Sequence, residues 1–245
     1  MSQIKLTQSG IEARVEEGLL YITINRPSNA NAYTQQMLSD LGFCIDLAAK
    51  DDLIKAIVIT GAGDKVFCAG ADRNEIDTRD WRSILTLKSA AIFKALRDCP
   101  KISIAAINGA AVGGGFELAI SCDIRIASPN AKFWLPELEF GLLPAAAATN
   151  LLPQYIGIPR TKDLVLGGAR WTAQEAYSAG LLSQVCNEGE LIGCVMQWVE
   201  RIKKRDADAI SVGKQLLELN ASGPDSLRAD LLAQALLAIN KRSRE

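Results

Sequence analysis

The chain has 245 residues, 49% of them hydrophobic, with a formal net charge of −1 and no histidine. That length and apolar content suffice for one large domain, and the balanced charge offers no basic field for a nucleic-acid backbone. The missing histidine excludes Ser-His-Asp and Cys-His nucleophilic catalysis and His-dependent metal sites. Proton transfer near neutrality then falls above all to carboxylates, whose pKa burial raises.

The opening run MSQIKLTQSGIEARVEEG has neither the basic and apolar regions of an export signal nor the acid-poor character of a transit peptide. Six cysteines, Cys44, Cys68, Cys99, Cys122, Cys186 and Cys194, form no CxxC pair and sit in apolar settings, which suits reduced thiols in the cytoplasm. The most apolar stretches are broken by Asn108, Gly109, Pro144 and Asn150, short of a membrane span. A soluble cytoplasmic protein with neither membrane nor nucleic acid as partner is expected.

In chain order, the run Leu19 to Ile24 alternates as a strand and stops at Asn25-Arg26-Pro27. Met37, Leu41, Cys44, Ile45 and Ala48 recur at helical spacing, with Thr34 available as N-cap. Ile54 to Thr60 reads as a buried strand closed by Gly61-Ala62-Gly63-Asp64, and Trp81 to Arg97 as one helix ending before Pro100. Ile102 to Ile107 is a further buried strand. Gly113-Gly114-Gly115 opens a short helix through Ser121, Ile124 to Ala127 is again a strand, and Phe133 to Leu138 reads as irregular. The capping-box run Thr172-Ala173-Gln174-Glu175 starts a helix that closes at Gly180. From Glu190 onward everything reads as helix, divided at Gly223-Pro224, with Leu227, Leu231, Leu232, Ala235 and Ile239 on one face of the last segment. The rhythm is α/β, a parallel sheet with helices packed on it, followed by a helical C-terminal region.

Two glycine-rich places let backbone approach a ligand: Phe67-Cys68-Ala69-Gly70-Ala71-Asp72, and Ala111-Val112-Gly113-Gly114-Gly115-Phe116-Glu117. In the second a helix begins directly after glycines, so its free N–H groups form an anion-stabilising end. Tight packing of helix on sheet is the alternative reading of the same glycines. Neither place satisfies GxGxxG, and no GK[ST] occurs, so dinucleotide and P-loop readings fail. Glu117 and Glu137 both have apolar neighbours, which suits either surface carboxylates or partly buried acids with raised pKa.

FCAGAD, AAINGAAVGGGFELAISCDIRIAS and AKFWLPELEFGLLP resemble, in order and spacing, the signature blocks of the crotonase, or enoyl-CoA hydratase/isomerase, family. Ile24-Asn25-Arg26-Pro27 with Asn31-Ala32 is similar to its N-terminal block, and Gly168 to Val185 to a later one. The resemblance implies the ββα spiral core, over 1–185, with a helical extension over 186–245 that mediates homotrimers or dimers of trimers. It implies an oxyanion hole from the backbone N–H groups of Ala71 and Gly114, and two catalytic glutamates. Glu117 would deprotonate water and Glu137 protonate the acyl α-carbon, in hydration of a 2-enoyl-CoA. No metal and no cofactor is implied beyond coenzyme A as part of the substrate.

The substrate path is expected to run past Ala69, Gly70, Asp72, Arg73, Asn74 and Gly113. Trp134 and Leu135 replace smaller or polar residues of the family and should narrow the acyl pocket, beside Pro144 and Ala145. Ala145 to Ala148 stand where relatives carry glycines, which puts four methyl groups beside the water site. Gly114→Val should abolish activity, and Gly115→Ala should be milder. The family's closing C-terminal segment has at best a remnant in Lys241-Arg242, so acyl-carrier thioesters, dehydration in a polyketide-type pathway and cyclic diketones stay open as substrates and reactions, as do isomerase and decarboxylase chemistry. A catalytically silent assembly subunit is the alternative of a different class. A two-carboxylate glycosidase is disfavoured by an aromatic content of only 6%.

Overall fold

In the computed structural model, residues 2–4, 6, 9–76, 80–220 and 234 are described. The chain runs β1 (Ser2–Gln3), β2 (Ile11–Glu16), β3 (Leu19–Ile24), α1 (Gln35–Lys50), β4 (Ala56–Gly61), β5 (Val66–Cys68), α2 (Arg73–Ile76), α3 (Trp81–Leu85) and α4 (Lys88–Asp98). It continues through β6 (Ile102–Ile107), β7 (Ala110–Val112), α5 (Gly114–Ile120), β8 (Ile124–Ala127), β9 (Lys132–Trp134) and α6 (Ala148–Val165). The last described elements are β10 (Trp171–Thr172), α7 (Ala173–Ser178), β11 (Gln184–Val185), α8 (Leu191–Lys203) and α9 (Ala207–Asn220).

Among the described residues the strands form two sheets. The larger has the order β1-β2-β3-β4-β6-β8-β11 and the smaller β10-β9-β7-β5. The pairs β4/β5, β6/β7 and β8/β9 each place their first strand in the large sheet and their second in the small one. That is the expected ββα spiral, with parallel pairing along β3-β4-β6-β8-β11 and along β5-β7-β9.

Both faces of the large sheet are covered, and this is why β4 and β6 are predominantly apolar with no alternation, Thr60 and Ser103 apart. Leu20, Ile22, Ile57, Ile59, Ala105 and Ile107 face inward, in one cluster with Phe67, Phe116 and Phe133 of the spiral's interior. Leu19, Val58, Ile104 and Ile126 face the other way and bury against Cys194, Val195 and Val199 of α8. Each fully buried side chain of this size contributes roughly 1.5–3 kcal/mol, so the site rests on rigid strands.

Three expectations change, the first being the unbroken helix from Glu190, which the structure divides between α8, ending at Lys203, and α9, starting at Ala207. The helix expected over Trp81 to Arg97 is two, α3 and α4, broken at Thr86-Leu87. Phe133-Trp134, read as irregular, is the end of β9, and Glu137–Phe140 is a 3₁₀ turn. A long segment that the sequence left unread is α6, whose helix is kinked at Gly157 (φ 76°, ψ 160°) between Pro153 and Pro159. Thr34 caps α1 as expected, accepting from Met37 N at 3.2 Å, and the Thr172–Glu175 capping box is formed. The apolar face predicted over Leu227 to Ile239 lies outside the described residues.

Candidate active site

The loop after β5 is held from three directions, and this fixes Ala71. Asn31 donates from Nδ2 to the carbonyls of Ala62 (3.0 Å) and Val66 (2.7 Å) and accepts from Arg26 N. The Arg26 guanidinium donates to the Ala32 carbonyl and pairs with Asp72 at 2.9 Å, holding the Asp72 carboxyl below the usual range. Main-chain bonds complete the clasp, Tyr33 N donating to Gly70 O at 2.8 Å and Asp72 N to Tyr33 O at 2.9 Å. Among the described hydrogen bonds, none takes the N–H of Ala71 or of Gly114, the first residue of α5.

The three glycines before Phe116 are required by what surrounds them. A Cβ on Gly113 would stand 2.7 Å from Glu137 Oε1, one on Gly114 2.1 Å from Tyr33 Oη, and one on Gly115 2.0 Å from the Cys68 carbonyl oxygen. Gly113 also has φ +52° and donates its N–H to Trp134 O at 3.0 Å, so the start of α5 is tied to β9. On the opposite loop a Cβ on Gly70 (φ +91°) would stand 3.0 Å from Gly114 N. The two backbone segments that carry the candidate oxyanion donors are therefore in contact, with no side chain between them.

Glu117 lies in the first turn of α5 and is 3% exposed. Its Oε1 accepts three backbone N–H groups, from Ala146 (2.9 Å), Ala147 (2.8 Å) and Ala148 (2.9 Å), at the N-terminus of α6. Burial raises this carboxyl overall, outweighing the three donors, which pull it down. Donors of this kind favour the ionised form. Glu137 stands at the start of the 3₁₀ turn, where no such group of donors surrounds it. Among the described residues its Oε2 is the buried side-chain oxygen without a hydrogen-bond partner. Burial first, with the nearby Glu117 charge adding to it against a bond from its own backbone, pushes Glu137 up to about 7.

Both carboxylates, Ala71 and Gly114 line one cavity of about 420 Å³. Ala69, Gly70, Arg73, Gly113 and Ala145 are also on its wall. Several expected residues lie elsewhere. Asp72 is turned to Arg26, and Asn74 N donates back to Asp72 Oδ1 at 3.1 Å. Leu135 is 2% exposed in the core, Pro144 is buried away from the cavity wall, and the Trp134 ring lies under the Arg170 guanidinium at 5.3 Å. Trp134 and Leu135 thus do not line this cavity. Nor do four methyl groups crowd the site: of the alanine run, the structure presents Ala145 to the cavity and the N–H groups of the other three to Glu117.

Residues on the cavity wall that sequence reasoning missed are Tyr33, Ile76, Leu87, Ser89, Phe140, Leu142 and Leu143. Arg73 lies over the Phe140 ring at 4.5 Å. Tyr33 follows directly on Asn31-Ala32 of the N-terminal block, which was the available signal; the apolar run after Glu137 suggests core from its sequence, whereas Phe140 and Leu143 are exposed.

Known proteins share this arrangement of blocks and strands. A family model described as enoyl-CoA hydratase/isomerase matches residues 14–237. The chain is 38% identical over 230 residues to a putative enoyl-CoA hydratase/isomerase, YngF, of Bacillus subtilis, covering 92% of this chain and 79% of that one. It is 36% identical over 199 residues to the short-chain-enoyl-CoA hydratase of Clostridium acetobutylicum, covering 80% and 76%. Among solved structures, Pseudomonas aeruginosa DspI superposes with a TM-score of 0.90 at 33% identity, covering 100% of this chain and 99% of that one. An enoyl-CoA hydratase of Geobacillus kaustophilus also gives 0.90, at 31% identity over 96% and 92%. The chain belongs to the enoyl-CoA hydratase/isomerase, or crotonase, family of enzymes.

Proposed function

We propose that this enzyme hydrates a 2-enoyl-CoA to the 3-hydroxyacyl-CoA. One observation carries the reading: two carboxylates line a single cavity in opposed surroundings, Glu117 among three N–H donors and Glu137 with a buried oxygen unpartnered. Pairs whose environments separate their protonation are the arrangement that acid–base addition needs. Ionised Glu117 takes a proton from water as its oxygen bonds the acyl β-carbon. The electron pair of the double bond moves onto the thioester oxygen, where the N–H groups of Ala71 and Gly114 hold the enolate at a gain of several kcal/mol. Protonated Glu137 then delivers its proton to the α-carbon, and the pair resets by exchanging one proton through solvent.

Coenzyme A enters as part of the substrate, and the reading asks for no other cofactor or metal. Relatives named as enoyl-CoA, crotonyl-CoA and 2,3-dehydroadipyl-CoA hydratases support it. The described cysteines are all free and buried, which favours a reducing cytoplasm, and no described helix is long and apolar enough to cross a membrane. The test is a panel of 2-enoyl-CoA esters, the same acyl groups on a carrier protein, and a cyclic β-diketone. Loss of the conjugated thioester absorbance with the CoA esters is the expected result. Turnover confined to the carrier esters or to the diketone would replace this reading.

A further inference from the structure

The peptide that joins Gly113 to Gly114 carries the N–H of one candidate oxyanion donor, and it is flanked on both Cα atoms. Glu137 Oε1 fills the side-chain space of Gly113, and Tyr33 Oη fills that of Gly114. The first of these groups already has a part in the proposed reaction. The second has none.

Tyr33 is 5% exposed and lines the cavity. A Cβ on Gly114 would lie 2.1 Å from Tyr33 Oη, and covalent geometry puts a Cβ about 2.5 Å from its own amide nitrogen, so the hydroxyl oxygen is within about 4.6 Å of Gly114 N. An oxygen that accepts from Gly114 N at ordinary distance can therefore also reach the phenol. The Tyr33 backbone brackets the other donor, bonding Gly70 O and Asp72 N on either side of Ala71. Its ring is steadied edge-on against Phe93, centroids 6.0 Å apart. One residue thus clasps the loop of the first donor with its main chain and places a hydroxyl beside the second.

We propose that Tyr33 is a catalytic residue, its phenol being a third hydrogen-bond donor to the thioester oxygen, beside the N–H groups of Ala71 and Gly114. The proposal rests on the oxyanion reading above and extends it. A phenol O–H in a buried setting strengthens as negative charge grows on its acceptor. Its contribution falls on the enolate more than on the ground state, hence on kcat more than on KM. The main-chain clasp and the ring contact are retained in Tyr33→Phe, which removes the hydroxyl alone.

The test pairs kinetics with a signal that needs no turnover. Tyr33→Phe should keep the wild-type thermal midpoint and lose roughly tenfold to a hundredfold in kcat with KM little changed, below the full loss of a sole donor because two N–H groups remain. With butyryl-CoA carbon-13 labelled at the thioester carbonyl, which has no double bond to hydrate, the bound carbonyl stretch should move to lower frequency in wild type and recover part of that shift in Tyr33→Phe. Equal frequencies in the two proteins would overturn the role of Tyr33. An unshifted wild-type carbonyl would refute the donor pair and the third donor together. A shift that depends on Tyr33 in a protein that hydrates no enoyl-CoA would refute hydration and keep the donor.

Discussion

Gly115→Ala adds one methyl group at the point where α5 crosses β5. Its Cβ would stand 2.0 Å from the Cys68 carbonyl oxygen and 2.6 Å from the carbonyl carbon, both backbone atoms. A carbon and an oxygen need more than 3 Å, so α5 and β5 must separate by roughly 1 Å at a place where packing is dense. No rotamer relieves this. Overpacking of a core costs about 1–3 kcal/mol and more where only backbone can yield; at about 3 kcal/mol a domain of this size loses roughly 6–12 °C of thermal midpoint. The same displacement draws the start of α5 away from Ala71, so hydration should fall together with stability. The expectation that Gly115→Ala is milder than Gly114→Val gains no support from this backbone contact. Thermal unfolding followed by circular dichroism, with turnover on the same samples, is the assay. A midpoint within about 2 °C of wild type would show that α5 and β5 are not packed as described.

Glu117→Gln and Glu137→Gln should each lower kcat by on the order of 100-fold while the fold persists; wild-type rates in either would end the two-acid mechanism. In the wild type the rate should fall as pH rises through about 7, where Glu137 loses its proton, and a rate that keeps climbing there would reverse the two roles. Stability carries the same sign: the folded chain holds the Glu137 proton more tightly than the ordinary 4.5, so this contribution is complete below about pH 4.5 and is lost as pH rises through about 7. The difference corresponds to at most about 3 kcal/mol. Glu137→Gln should therefore gain on wild type in denaturant midpoint from pH 4.5 to 8, and a pH-independent gap would contradict the burial of that carboxyl. Ile158, Leu166 and Leu217 are large apolar side chains left exposed on one chain, which supports assembly of copies; light scattering at micromolar concentration should give three or six times the chain mass, and a monomer would contradict it.

What could be read in advance follows from how local each signal is. Ile102 to Ile107 and Ile124 to Ala127 were legible to the residue because strands covered on both faces are predominantly apolar, broken here only by Ser103 and Arg125. β5, β7 and β9, of three residues each, are too short to show a period, and α6 was hidden by two prolines and Gly157. At the site, Glu117, Glu137, Ala71 and Gly114 were named from their family blocks and share one cavity wall. That Ala146 to Ala148 offer N–H groups to Glu117, or that Tyr33 covers Gly114, depends on segments about 30 and 80 residues away, and no local pattern records it.

The feature common to hydration, dehydration and every other crotonase reaction considered is an acyl oxygen held by two main-chain donors. A crystal structure with a bound short-chain acyl-CoA measures it directly. The thioester oxygen should sit about 2.7–3.1 Å from the nitrogens of both Ala71 and Gly114, the range such donors require. An acyl oxygen bound elsewhere, held by side chains and out of reach of those two nitrogens, would contradict the account and remove the roles given to both glutamates.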